Sequence, residues 1–150
     1  MKGGGKMKIY LASPFFDNEE RARVKLVKHI LRSKGFEVFV PMEHKVENAE
    51  AISNFEWGSA VFKMDKNAIH SCDVMVVLYD GLYSDTGTAW ECGYAFANNI
   101  PVVMVCPQIY MGRSSLMMVN GCYSCLHSLS ELELYDFNKM EVRNYQGEQK

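Results

Sequence analysis

The run Asp73-Val-Met-Val-Val-Leu-Tyr79 constrains this chain more than any other stretch. A short, almost unbroken apolar segment rich in β-branched residues reads as a strand covered on both faces, the mark of a parallel sheet between helices. Pro101-Val-Val-Met-Val-Cys106 has the same character. Met7-Lys-Ile-Tyr-Leu-Ala12 is a third strand, ended by Ser13-Pro14 because proline cannot donate to a ladder, and Phe36-Glu-Val-Phe-Val40 is a fourth, cut by Pro41. Between the last two of these, Asp17 and Glu20 form a capping-box pattern. Val24, Val27, Ile30 and Leu31 follow at helical spacing until Lys34-Gly35 stops the helix. Residues 42–50 are polar and loop-like. Ala51 to Ser71 predicts a second helix, broken near Trp57-Gly58, and Thr88 to Asn99 a third. The last forty or so residues give a helix around Ser115–Leu126 and some short final elements. The alternation predicts an α/β fold with a doubly wound, mainly parallel sheet of flavodoxin or Rossmann type. It forms one domain over residues 1–150, with 1–6 a flexible lead. Ligands of such sheets bind at the carboxyl ends of the strands, here the loops that begin at Ala12, Pro41, Asp80 and Pro107.

Composition removes several function classes. With 16 basic against 18 acidic side chains, the net charge is −2, which does not suit a nucleic-acid backbone partner. No window approaches the roughly 18 apolar residues of a membrane span, and Met1–Lys6 lacks the apolar run of a secretory signal. Cys72, Cys92, Cys106, Cys122 and Cys125 are an odd, scattered set, read as free thiols in a reducing cytoplasm. Cys122-Tyr-Ser-Cys125 has CxxC spacing with His127 close by, but the second ligand pair of a zinc site is missing. There is no Walker loop and no GxGxxG after a strand. Neither a metal nor a cofactor is expected.

The chemistry concentrates in Asp85-Thr-Gly-Thr-Ala-Trp-Glu91-Cys-Gly-Tyr94, which follows the strongest strand and opens a helix at the predicted ligand edge. Thr88 with Glu91 three residues on is a capping-box pattern, so Glu91 has a purely structural reading. The same placement suits a nucleophile, because a carboxylate in the first helical turn is favoured in its charged form and must be charged to attack. Gly87 and Gly93 leave room for a ligand to approach the backbone.

Tyr10 in K-I-Y-L-A, Asp65 ahead of C-D-V-M-V-V, and D-x-G-T-A-x-E-x-G-Y after it together resemble nucleoside 2-deoxyribosyltransferases, over roughly Met7 to Pro107. The resemblance implies that Glu91 attacks the anomeric carbon to give a covalent deoxyribosyl intermediate. Tyr10 would hold that carboxylate, Asp65 would help deliver a proton to the leaving base, and Asp85 would bind sugar hydroxyls or the base edge. Phe15 and Phe16 would pack on the base, and His44 in Met42–Val46 would contact it. A deoxyribonucleoside would be the donor and a free nucleobase the acceptor, with retained configuration. Family members often place an Asn before a Leu-Met pair, donated to the neighbouring subunit's site at the sugar 5′-hydroxyl. Here Ser115 stands at that position before Leu116-Met117, with Asn120 close by. Shared sites imply a homo-oligomer, which the Met-rich stretch 115–119 fits. Chemistry agrees with these roles: a nearby anion stabilises an oxocarbenium-like transition state, two displacements retain configuration, and a leaving base needs a proton. Two carboxylates in one pocket would push their pKa values apart, leaving one charged and one protonated. Two rival readings are a hydrolase of deoxynucleosides or their 5′-monophosphates and a non-catalytic nucleotide-binding module. The segment Ser13-Pro-Phe-Phe-Asp17, apolar and acidic, serves a phosphate poorly.

Overall fold

Side chains alternate across a strand, and in β1 (Lys8–Ala12) this alternation sorts the core into two layers. The computed structural model describes residues 4–79, 85–106 and 113–150. After β1 come α1 (Asn18–Ser33), β2 (Glu37–Phe39), α2 (Asn54–Ser71), β3 (Val74–Leu78), α3 (Thr86–Ala97) and β4 (Val102–Val105). Then follow β5 (Arg113–Ser114), α4 (Leu116–Gly121), β6 (Ser124–Leu126), α5 (Leu129–Leu134) and β7 (Glu148–Gln149). The main sheet runs β2-β1-β3-β4-β6 with every pairing parallel. That is the flavodoxin-like order, whose switch point lies between β1 and β3. Ile9 and Leu11 join Val24, Val27, Ile30 and Leu31 of α1 and Leu132 of α5 in one core. Tyr10 and Ala12 join Ile69 of α2, Cys92 and Ala95 of α3, and Met118 and Val119 of α4 in the other.

The α/β class, the parallel sheet, the capping box of α1 and its stop at Lys34-Gly35 match the sequence reading, Gly35 having φ +88°. Four local features differ. First, α2 is continuous through Trp57-Gly58: Ser53 and Glu56 form a full capping box, and the roughly 1 kcal/mol cost of an interior glycine does not break a docked helix of this length. Second, α3 begins at Thr86, because Asp85 is the N-cap and accepts the Thr88 backbone N–H at 2.9 Å. Thr88 is therefore an interior residue, its hydroxyl donating to the same Asp85 oxygen at 3.1 Å. Third, the stretch from 115 to 126 is a six-residue helix ending before Cys122, followed by the fifth strand of the sheet, β6. A short apolar run cannot be told from a helix by periodicity. Fourth, Pro41–Glu43 and Ala49–Ala51 each form a single 3-10 turn within the polar loop. The loop starts Asp80 and Pro107 lie outside the described residues. None of the five cysteines is in a disulfide with another described residue, and among the described residues no helix is long and apolar enough to cross a membrane.

Candidate active site

Three elements aim polar groups at one place. Tyr10, fully buried, faces α2 and α3 together with Ala12, because the alternate β1 residues Ile9 and Leu11 face the other way. On α2, Asp65 lies one turn before Ile69 and so shares its sheet-facing side. On α3 the buried face carries Thr88, Cys92 and Ala95, and Glu91 follows Thr88 by three residues onto that side. The Tyr10 hydroxyl, Asp65 Oδ1 and Glu91 Oε2 are buried and have no hydrogen-bond partner among the described residues. Each such orphan costs about 1–3 kcal/mol, so a cluster of them points to function rather than to stability.

Burial dominates the electrostatics. It pushes the Glu91 carboxyl up to about 7; the Tyr10 hydroxyl pulls the other way, while the charges of Asp65 and Asp85 add to the rise. The hydroxyl does not meet full hydrogen-bond geometry with Glu91, yet it is close enough to favour the carboxylate. Tyr10 itself is held far above the usual phenol range, first by burial and then by the Glu91 charge. Burial lifts Asp65 to about 6, opposed by the charge of His44. The helix-start argument for Glu91 therefore needs correction. With Asp85 as N-cap, Glu91 lies in the second turn, α3 has no acidic residue in its first turn, and the dipole fades beyond that turn. Its capping reading falls with the same observation. Nor are the two carboxyl groups driven apart: both rise.

Asp65 and Glu91 open onto a cleft of about 470 Å³ between α2 and α3, bordered also by Phe62, Thr86, Gly87 and Trp90. Phe62 and Trp90 meet edge to face at 5.2 Å, and Trp90 stacks on Tyr94 at 5.4 Å. These two aromatic residues went unnoticed in the sequence; the available signal was their spacing, Phe62 one turn before Asp65 and Trp90 next to Glu91. On the other side of Tyr10 a ring ladder rises: Phe39 stacks on it at 5.5 Å, and His44 lies on Phe39 at 4.1 Å and 4°. Gly87 serves the cap, because a Cβ there would stand 3.0 Å from Asp85 Oδ2. Phe15 and Phe16 stack on each other at 6.0 Å just before α1, with Phe16 exposed, and do not border this cleft. Ser115, Met117 and Asn120 border a separate groove between α3 and α4. Burial raises the Cys125 thiol to about 11 and Cys122 well above its usual value, which leaves both protonated and unreactive. Among the described residues, no group of three or more His, Cys, Asp or Glu is placed to hold a metal ion.

With this geometry in hand, the likeness to known proteins is decisive. Residues 9–140 match the family model described as nucleoside 2-deoxyribosyltransferase. The chain belongs to the nucleoside 2-deoxyribosyltransferase family. A relative from Limosilactobacillus fermentum, called nucleoside deoxyribosyltransferase, is 31% identical over 144 residues, covering 87% of this chain and 85% of its own. One of the same name from Lactobacillus johnsonii is 30% identical over 115 residues, covering 73% and 77%. The solved 2-deoxyribosyltransferase of Bacillus psychrosaccharolyticus superposes with a TM-score of 0.81 at 33% identity, over 92% of this chain and 98% of that one. As a member of this transferase family the protein is a pentosyltransferase, and the resemblance carried by Tyr10, Asp65 and the Asp85–Tyr94 motif is confirmed at the level of family and fold.

Proposed function

We propose that this deoxyribosyltransferase works by a retaining double displacement with Glu91 as the nucleophile. The observation that carries the proposal is the orphaned trio of Tyr10 hydroxyl, Asp65 Oδ1 and Glu91 Oε2, buried together at the switch point of the sheet. In the first step a Glu91 oxygen bonds to C1′ of a deoxyribonucleoside, the C1′–N bond breaks, and the departing base takes the Asp65 proton. In the second, a nitrogen of the acceptor base bonds to C1′, the ester bond breaks back to Glu91, and the acceptor's proton returns to Asp65. Two inversions restore the original configuration. A carboxyl raised to about 6 by burial is a competent proton donor near neutral pH. Glu91, at about 7, is half ionised there, and the Tyr10 hydroxyl favours its reactive form.

Substrate contacts follow the same reading. Phe62 and Trp90 offer an aromatic border to a flat base, beside the Phe15, Phe16 and His44 contacts that the family resemblance implies. Asp85 spends one oxygen on its cap, and the family role for it, at the sugar hydroxyls, falls to the remaining one. Sites shared between copies account for Ser115, Met117 and Asn120 lying away from Glu91. The groove they border has a volume of about 580 Å³ and carries exposed Phe96, Leu116 and Met117, an apolar surface suited to a second copy. Of the two polar candidates for the sugar end, Ser115 makes no side-chain cap bond. The Asn120 amide nitrogen is already used by Leu116 O and Gln149 Oε1.

Deoxyadenosine with excess cytosine should yield deoxycytidine, in ping-pong kinetics with parallel double-reciprocal lines. Enzyme denatured after exposure to donor alone should carry a deoxyribosyl adduct on the peptide containing Glu91. Free base as the sole product would instead mean hydrolysis, and intersecting lines with an α-configured product would mean direct displacement.

A further inference from the structure

The loop after β2 is gripped from the opposite side of the sheet. α1 buries Val24, Val27, Ile30 and Leu31 in the core layer that does not contain Tyr10. Two residues at its edge, one turn apart, reach past β2: Lys28 Nζ meets Glu43 Oε1 at 2.5 Å and Arg32 Nη2 meets Glu43 Oε2 at 2.8 Å. The same Arg32 nitrogen donates to the Val38 carbonyl of β2 at 3.1 Å, tying the pair to the strand. Both oxygens of Glu43 are therefore engaged, and those bonds lower its pKa. The next residue is His44. Its backbone closes the 3-10 turn through Pro41 O at 3.1 Å, and its ring lies flat on Phe39, which in turn stacks on Tyr10. No side-chain hydrogen bond to a described residue holds the imidazole, so its place depends on the stack, on its electrostatic interaction with Asp65 and on the backbone that Glu43 anchors.

We propose that Glu43 is a positioning residue for the transfer reaction: gripped by Lys28 and Arg32, it keeps His44 stacked on Phe39 at the edge of the site and so fixes how the base is read. This rests on the functional reading above, in which His44 faces the base. The partners of Glu43 belong to a helix on the far face of the sheet. The edge strand β2 thus acts as the axle between them.

Two measurements test it. In NMR spectra, with the resonances assigned by H44A, the ring protons of His44 should sit upfield because of the Phe39 ring current; E43A should erase that shift, K28M and R32M should reduce it, and K28R should keep it. In kinetics, E43A should lower kcat/KM about 5- to 10-fold, mainly through KM for the base, and change the preference between a purine and a pyrimidine acceptor. In an H44A background the same change should cost less than about 2-fold, because coupled residues do not act additively. An E43A protein whose His44 ring protons stay upfield, as in the wild type, overturns the proposal. So does an E43A penalty of equal size with and without His44, which would mark the clamp as purely structural. A chain that moves no deoxyribose would sink the functional reading, and the ring shift would still decide whether Glu43 holds His44.

Discussion

Replacing Glu91 by Gln should destroy activity and yet make the protein more stable at neutral and alkaline pH. Burial raises the Glu91 carboxyl from 4.5 to about 7. The unfolded chain therefore releases this proton near pH 4.5, whereas the folded chain keeps it until about 7. Between those values the folded state binds more protons, so stability falls as pH rises. Above the window the whole difference is lost, roughly 3 kcal/mol at about 1.4 kcal/mol per pKa unit. Gln cannot ionise, so E91Q escapes that loss. For a chain of this size each kcal/mol moves Tm by about 2–4 °C, so E91Q should melt about 6–12 °C above wild type at pH 8. At pH 4, where Glu91 is protonated in both states, the two proteins should melt together. Thermal unfolding followed by circular dichroism across pH 4–8, with transfer assays on the same samples, gives both readouts. Melting curves that stay parallel over the whole range would refute the argument, since they would mean that Glu91 is not a carboxylate held ionised against its surroundings.

Two further outcomes test its neighbours. Y10F removes the hydroxyl that favours the Glu91 carboxylate and so raises its value further above 4.5; because Asp65 lies lower, at about 6, the upper inflection of kcat/KM should move up by about one unit or more, with a heavier loss at pH 6 than at pH 9. An unmoved upper inflection would contradict the coupling. The proposed mechanism requires Glu91 charged and Asp65 protonated, with values of about 7 and about 6, so wild-type kcat/KM should be bell-shaped with a maximum between them. D65N should cost about 10²- to 10⁴-fold and leave a single rise with pH, and a surviving bell would take the proton-donor role from Asp65.

The sheet was readable from sequence because its strands are buried on both faces: β3 and β4 are unbroken apolar runs with no exposed position to blur them. The beginning of α1 was readable because only Asp17 and Glu20 there form a capping pair. Ahead of α3, two residues competed for the cap, and Asp85 won by accepting both the backbone and the hydroxyl of Thr88. That three-residue shift of the cap moved Glu91 out of the first turn and replaced a dipole argument with a burial argument. Periodicity also missed β6, a three-residue strand whose pairing with β4 is a tertiary fact. The identities of Tyr10 and Asp65 came from a resemblance, not from spacing, whereas Glu91 stood out by its place after the strongest strand. No local pattern says that a β1 side chain and two helix residues share one face of a sheet. Phe62 and Trp90 escaped for the same reason, being half-exposed aromatic residues whose role depends on the gap between two helices.

The parallel pairing of β1 with β3 sets when this protein can become active during folding. Tyr10 belongs to the first strand, Asp65 and Glu91 to the helices on either side of β3, and no reverse turn can join the two strands. The contact that closes them, Lys8 N–H to Asp73 Oδ2, spans 65 residues. Loop closure over such a distance is slow compared with helix formation. Helices α1 and α2 can thus gain their backbone order while the three polar groups are still apart. On the proposed mechanism no turnover precedes the docking of these strands, and regained activity marks assembly of the central sheet followed by the pairing of copies that completes the site.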